Sequence, residues 1–274
     1  MKHLKEYLNE DFFGNLGIGK VAKIEEWLKK YDIYVYTINS DLTIDVKEDV
    51  YLKNYPDKEL PDYIQFNRVN ETFYISESNI TSLKGCPKEV SGSFYCNKCN
   101  NLTSLEGAPK KVSGYFDCTY CFKLESLEGA PQEVGMNFEC QKCPKLKSLK
   151  GAPQKVGGFF NCNNCIKLES LEGAPQEVGG CFNCYLCPKL ESLEGAPQKV
   201  KWDFNCNDCA SLTTLKGTPQ KIDGTFRCYR CPKLESLEGA PQNVDGDFYC
   251  GNCGVKFTKE DIKKVCKVKG KIRV

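Results

Sequence analysis

From Ile80 to about Gly254 the apolar residues fall into one pattern that restarts every 22 positions. A representative unit carries Leu102, Leu105, Pro109, Val112, Phe116, Cys118 and Cys121, and Leu124 opens the next. Its general form is L-x-S-L-x-G-x-P-x-x-V-x-x-x-F-x-C-x-x-C-x-x, and eight successive units fit it. Phe116 and Cys118 alternate with Tyr115, Asp117 and Thr119. The first two therefore point to one face of a short strand and the other three to the opposite face. Leu102, Leu105 and Val112 supply the remaining walls of the coil. Gly107 suits the positive φ of a tight turn, and Pro109 keeps the following segment out of a helix. No unit contains the spacing of a full helical face. A coil this small buries too little on its own and must stack on its neighbours, about 4.8 Å apart. The predicted fold is a repeat solenoid, a stack of short parallel β-strands.

The flanks depart from the pattern, as the ends of a repeat array must in order to close its apolar core. Residues 1–33 read as a helical cap with two amphipathic segments, Leu4, Tyr7 and Leu8 on one and Val21, Ile24, Trp27 and Leu28 on the other. Residues 34–79 read as degenerate first coils. They include Thr43-Ile44-Asp45-Val46, and Phe73 and Ile75 precede Phe94 and Cys96 by 21 positions. Residues 80–257 hold the eight regular repeats, and 258–274 a C-terminal cap. There Thr258 and Asp261 open a helix by a capping-box pattern, expected to run through Val268, with a last strand from Lys271 to Val274.

The stretch from Val112 to Leu127 resembles the leucine-rich-repeat signature, with Phe116, Cys118, Cys121 and Leu124 in its pattern. The short period and regular proline are similar to the bacterial effector subtype, whose convex side is extended. Cys121 stands where that family places an Asn or Cys. The resemblance covers about two-thirds of the chain; it speaks to fold and hardly at all to chemistry.

Composition narrows the functional classes. The chain of 274 residues has a formal net charge of +2, no footprint for nucleic acid or an anionic membrane. No apolar run suits a membrane span or the core of a signal peptide, so the chain reads as soluble and cytoplasmic. Nineteen cysteines accompany a single histidine, His3. Eight CxxC pairs, beginning with Cys96, Cys99, Cys118 and Cys121, have the spacing of four-cysteine zinc sites. They equally suit a buried ladder of free thiols, since cysteine is commonly a small buried hydrophobe. The ladder is the preferred reading, with no cofactor, and a zinc-binding module is the lesser alternative. Cys86, Cys181 and Cys266 fall outside both.

Catalysis finds little support. One histidine in a terminal segment makes a Ser-His-Asp or Cys-His site a poor expectation. Gly14-Asn15-Leu16-Gly17-Ile18-Gly19-Lys20 approaches a phosphate-binding loop, but Val21 stands where a magnesium-binding Ser or Thr belongs. It reads instead as a flexible turn between two helices. The expected activity is binding, through the outward strip beside the strands. That strip is Tyr95, Tyr115, Asp117, Tyr120, Glu139, Asn161, Tyr185, Asn205, Arg227, Tyr229 and Tyr249, which vary between units while structural positions repeat. Tyr, Arg and Asn suit a protein partner, not a nucleic-acid backbone.

Two further resemblances concern origin. The phrase Leu102–Cys118 is similar to repeat proteins encoded by tailed phages and found in metagenomes. The start, Met1–Glu10, is similar to head-targeting leaders of internal capsid proteins, which end in an aliphatic-x-Glu cleavage site; Leu8, Asn9 and Glu10 match it. The first resemblance implies a phage product engaging a host or defence protein in the host cytoplasm. The second implies a structural or head-packaged protein of the virion interior.

Overall fold

The computed structural model describes residues 15–274, the side chains of Asn15–Ile18 excepted. Its body is a β-solenoid in which each coil contributes one two-residue strand to each of two parallel sheets. The valine sheet has 12 strands and places Val112, Val134, Val156, Val178 and Val200 in register. The phenylalanine sheet has 11 strands and aligns Phe94, Phe116, Phe138, Phe160, Phe182, Phe204, Phe226 and Phe248 in the same way. The second sheet strand, Lys111–Val112 in the representative coil, is too short for alternation to announce it. Stacking creates it, because the chain returns to the same place every 22 residues and its backbone groups find the coil above and below.

The core is a set of one-residue columns. Phe73 through Phe248 form a continuous pile whose adjacent ring centroids lie 5.0–5.8 Å apart, within the range of favourable aromatic pairing. Leu102, Leu105, Leu124 and Leu127, with both cysteines of each internal coil, complete the walls and are fully buried. At the N-terminal end, helix α1 (Asn15–Lys30) seats Ile24, Trp27 and Leu28 on the first coil, with the Trp27 ring 6.2 Å from Phe66 and 6.3 Å from Tyr55. Strand Tyr36–Ile38 pairs antiparallel with Ile44–Val46 and closes that edge of the valine sheet. At the other end, helix α2 (Lys259–Val265) starts at Thr258, whose hydroxyl accepts the Asp261 amide at 3.2 Å while the Asp261 carboxylate accepts the Thr258 amide at 3.0 Å. No described helix is long and apolar enough to cross a membrane.

Two local expectations need correction. Asn15–Lys20 is helical, the first turns of α1, and not a turn between two helices; nothing interrupts the backbone ladder there, and Gly14 lies outside the described residues. Helix α2 ends at Val265 and not at Val268, because Lys267–Val268 is captured as a valine-sheet strand beside Asn243–Val244. Thr119 lies beside Asp117, whose carboxylate accepts its amide at 2.9 Å, and it is buried there. The Leu4, Tyr7 and Leu8 segment lies outside the described residues, as does the leader-like Met1–Glu10.

The CxxC turn places the residue before each second cysteine in the left-handed region, at Lys98, Tyr120, Lys142, Asn164, Leu186, Asp208, Arg230 and Asn252. Asn and Asp tolerate this conformation through local hydrogen bonding, and Leu does not. Leu186, at φ 56° and 43 % exposed, has little packing to offset the strain. Leu186→Asn is expected to raise stability by about 0.5–1 kcal/mol, read from the shift of a urea unfolding midpoint. A midpoint that falls would show that the leucine packs more than it strains.

Candidate functional site

The cysteine ladder and the outer face of the phenylalanine sheet are the two features that carry chemistry. In the ladder, the second cysteine of each pair donates its thiol proton to a backbone carbonyl of the preceding coil. Cys121 reaches the Cys96 carbonyl at 3.3 Å, Cys143 that of Cys118 at 3.4 Å, and Cys165 that of Cys140 at 3.3 Å. The same bond continues through Cys187, Cys209, Cys231 and Cys253, and Cys99 makes it to Ile75. These carbonyls lie just beyond the two-residue strands, where the sheet ladder stops and a buried acceptor needs a partner. The first cysteines pack against the phenylalanine pile and lean toward the next coil, as Cys118 does toward the Glu139 carbonyl at 3.4 Å.

All 19 cysteines are free. Burial holds the Cys118, Cys140 and Cys162 thiols well above the ordinary range and pushes Cys99 and Cys165 up to about 12. A sulfur that donates to a carbonyl carries its proton, whereas zinc takes thiolates that converge on one point. No group of three or more His, Cys, Asp and Glu side chains is arranged to hold a metal among the described residues. The three remaining cysteines also have places. Cys86 fills the small buried position held by Ala152, Ala174 and Ala196 in later coils. Cys266 caps α2 and donates its amide to Ile262 at 2.8 Å. Cys181 stands in the row where Ser93, Asn137 and Asp203 accept the next coil's amide, and the Asp203 amide supports its sulfur likewise.

The outer face of the phenylalanine sheet brings seven of the candidate contact residues into one row. Tyr95, Asp117, Glu139, Asn161, Asn205, Arg227 and Tyr249 occupy equivalent strand positions, with Asn183 between Asn161 and Asn205. Tyr115 lies one residue before the strand, Tyr185 and Tyr229 in the CxxC turn, and Tyr120 at its left-handed position. Side chains on one row are only a strand spacing apart, so they cover one another. Of the eleven, only Tyr115 and Tyr229 are exposed; the rest are half-buried.

The row divides into three chemical blocks. At its N-terminal end Tyr51, Tyr74 and Tyr95 stack nearly parallel, with ring centroids 4.8 and 5.1 Å apart. In the middle Glu139 accepts from Asn161 at 2.6 Å and from Asn137 at 3.2 Å, beside Asp117. Burial raises the pKa of both carboxyls, and in Glu139 the hydrogen bonds partly offset it. At the C-terminal end Arg227 pairs with Asp203 at 2.6 Å, and the Arg227 and Arg273 guanidinium groups lie 5.5 and 5.4 Å from the Tyr249 ring centre.

No family model, curated protein or solved structure matches this chain. The site is thus defined by its own geometry. Sequence reasoning missed Tyr51, Tyr74, Asn183 and Arg273, which belong to the same row. A strict count of 22 from Asn161 finds Asn183, whereas Tyr51, Tyr74 and Arg273 sit in coils of irregular length. It also missed Met136 and Trp202, which are 48 % and 52 % exposed at the corner between the sheets, Trp202 leaning on Phe159 with centroids 5.7 Å apart.

Proposed function

We propose that this chain is a non-enzymatic, leucine-rich-repeat-like binding protein that engages a protein partner through the outer face of its phenylalanine sheet. The observation that carries this reading is the contrast between the two outer faces. On the valine sheet the outward residues alternate in sign from Glu89 through Lys111, Glu133, Lys155 and Glu177 to Lys199, so neighbouring coils neutralise one another, and beyond them Lys221 breaks the alternation and pairs with Asp223 and Asp245 instead. Arg68 pairs with Glu89 at 2.8 Å, and Lys199 with Glu177, on that same row. Such a face is satisfied by itself and by water. The phenylalanine-sheet face instead presents tyrosine edges, an acidic block and an arginine–tyrosine block, the side-chain types that dominate protein-contact energetics.

The leucine-rich-repeat kinship is supported by the thiol-to-carbonyl bonds, which give Cys121 and its equivalents the backbone-satisfying role that an amide side chain fills at such a position. The phage affiliation rests on the resemblances of the Leu102–Cys118 phrase and of Met1–Glu10, and the host protein it implies is part of the proposal.

Affinity capture from host lysate, followed by rebinding of the purified partner, tests the reading. The bait is compared with a Tyr95→Ser, Arg227→Ser, Tyr249→Ser variant whose circular dichroism matches the parent. The variant is expected to bind the purified partner at least about tenfold more weakly, as loss of hot-spot residues requires. Equal binding by parent and variant would remove this face from consideration. Capture of nothing by either would favour the structural or packaged virion protein.

A further inference from the structure

We infer that Cys250 and Cys253 form an oxidisable dithiol at the C-terminal end of the cysteine ladder, a reversible modification site that the other seven CxxC pairs cannot provide. Three observations on the terminal coil distinguish it. The second cysteine is fully buried in each of the other seven pairs, at Cys99, Cys121, Cys143, Cys165, Cys187, Cys209 and Cys231, whereas Cys253 is only partly buried. The Cys250 and Cys253 sulfurs lie 3.7 Å apart, the one thiol–thiol hydrogen bond within a CxxC pair among the described residues. In preceding coils the first cysteine leans toward the carbonyl of the next coil, as Cys206 does toward Arg227 at 3.2 Å and Cys228 toward Tyr249 at 3.5 Å. The coil after Cys250 carries Ile272 and Arg273 beside Phe248 and Tyr249, and Cys250 turns its sulfur to Cys253 instead.

The internal pairs are protected by what oxidation would break. A disulfide in such a pair draws the second sulfur off the carbonyl of the preceding coil and leaves a buried acceptor without a donor. Cys253 donates to the Cys228 carbonyl at 3.3 Å, but at a partly exposed end water can replace that bond. The turn itself needs little change, since a four-residue turn already brings its first and last residues close.

With hydrogen peroxide as oxidant, the Cys253 thiolate attacks one peroxide oxygen. The S–O bond forms, the O–O bond breaks, and the departing hydroxide leaves as water. The Cys250 sulfur then attacks the sulfenic sulfur, forming the S–S bond and releasing the second water. Two thiols and one peroxide give one disulfide and two waters; the sulfurs together lose two electrons and the peroxide gains them. A dithiol reductant reverses the step by exchange. A hydrogen bond with Cys228 and burial raise the Cys250 thiol against the lowering effect of Cys253, and the bond to Cys250 and burial raise Cys253, so the reaction is run at mildly alkaline pH.

The test uses the full folded chain, hydrogen peroxide, N-ethylmaleimide to block remaining thiols, and peptide mass spectrometry. The peptide spanning both residues should lose two hydrogens and resist maleimide at least about tenfold faster than any internal CxxC peptide. Dithiothreitol should restore maleimide labelling, Cys253→Ser should abolish the link, and Cys181→Ser should leave it intact. In denaturant all eight pairs should oxidise alike, which ties the selectivity to the fold. Oxidation of internal pairs at an equal rate in the folded chain would overturn the inference. So would a Cys253 that passes to sulfinic acid without linking, or a folded chain in which Cys181 alone reacts.

Discussion

Phe160→Ala is expected to destabilise the solenoid by about 3–5 kcal/mol. Phe160 is fully buried at the middle of the pile, 5.3 Å from the Phe138 ring and 5.5 Å from Phe182. Removing it takes away the apolar area of one ring and leaves both neighbours facing a void. The neighbouring coils cannot collapse to fill that void, because each is held at a strand spacing by ladders in two sheets. Phe160→Leu keeps most of the volume and should cost roughly 1–2 kcal/mol. Repeat arrays are stabilised by nearest-neighbour interfaces, so the damage should also be local. Hydrogen exchange is expected to quicken first at the amides of Phe160 and Cys162, which bond to Cys181 and Asn183 in the next coil at 2.9 Å. A denaturation experiment that finds Phe160→Ala within about 1 kcal/mol of the parent would mean that the pile is not what holds adjacent coils together.

The phenylalanine column is legible in the amino-acid sequence, and the reason is geometric. A solenoid repeats its environment with the period of its chain, so Phe116, Cys118, Leu124 and Leu127 meet the same neighbours in every coil and return in the sequence at the same step. What is not legible depends on the space between coils. Val112 gives no strand signal, since a two-residue strand has no room for alternation and owes its pairing to Val90 and Val134 on either side. Thr119 shares the side of Asp117, as alternation implies, but its burial between coils leaves no mark in the alternation. Lys267 reads as helical from local propensity, while its partner in the valine sheet, Asn243, is 24 residues away. The outward row is readable as a variable strip, but not as a row whose members shade one another. Asn161 counts as variable by comparison of units, yet its amide is committed to Glu139 and its oxygen to Asn183. The most exposed residues are therefore those at the ends of the row and beside it, Tyr51, Tyr115, Tyr229 and Arg273, which the neighbouring coils leave uncovered.

Gly151→Ala is expected to cost about 2–5 kcal/mol, although it adds a single methyl group. Gly151 has φ +87°, a conformation that strains an L-residue by about 1–2 kcal/mol. Space adds a second penalty. A Cβ at this position would lie 2.6 Å from the Glu128 Cα and 2.6 Å from the Leu127 carbonyl carbon of the preceding coil. These are backbone atoms, so no rotamer change relieves the overlap; the two coils must separate, and the sheets on either side resist it. Relief by a flexible neighbour is available at Gly180, where the nearest obstruction is the Phe159 ring, and substitution there should be milder. Lys150→Ala serves as the control beside Gly151. Its exposed ion pair with Glu172, at 3.2 Å, should be worth no more than about 1 kcal/mol. The two substitutions sit on adjacent residues of one exposed turn, so a ranking by exposure or hydrophobicity places them together. A ranking by coil-to-coil backbone approach separates them, and the unfolding midpoints of the two variants decide between the accounts.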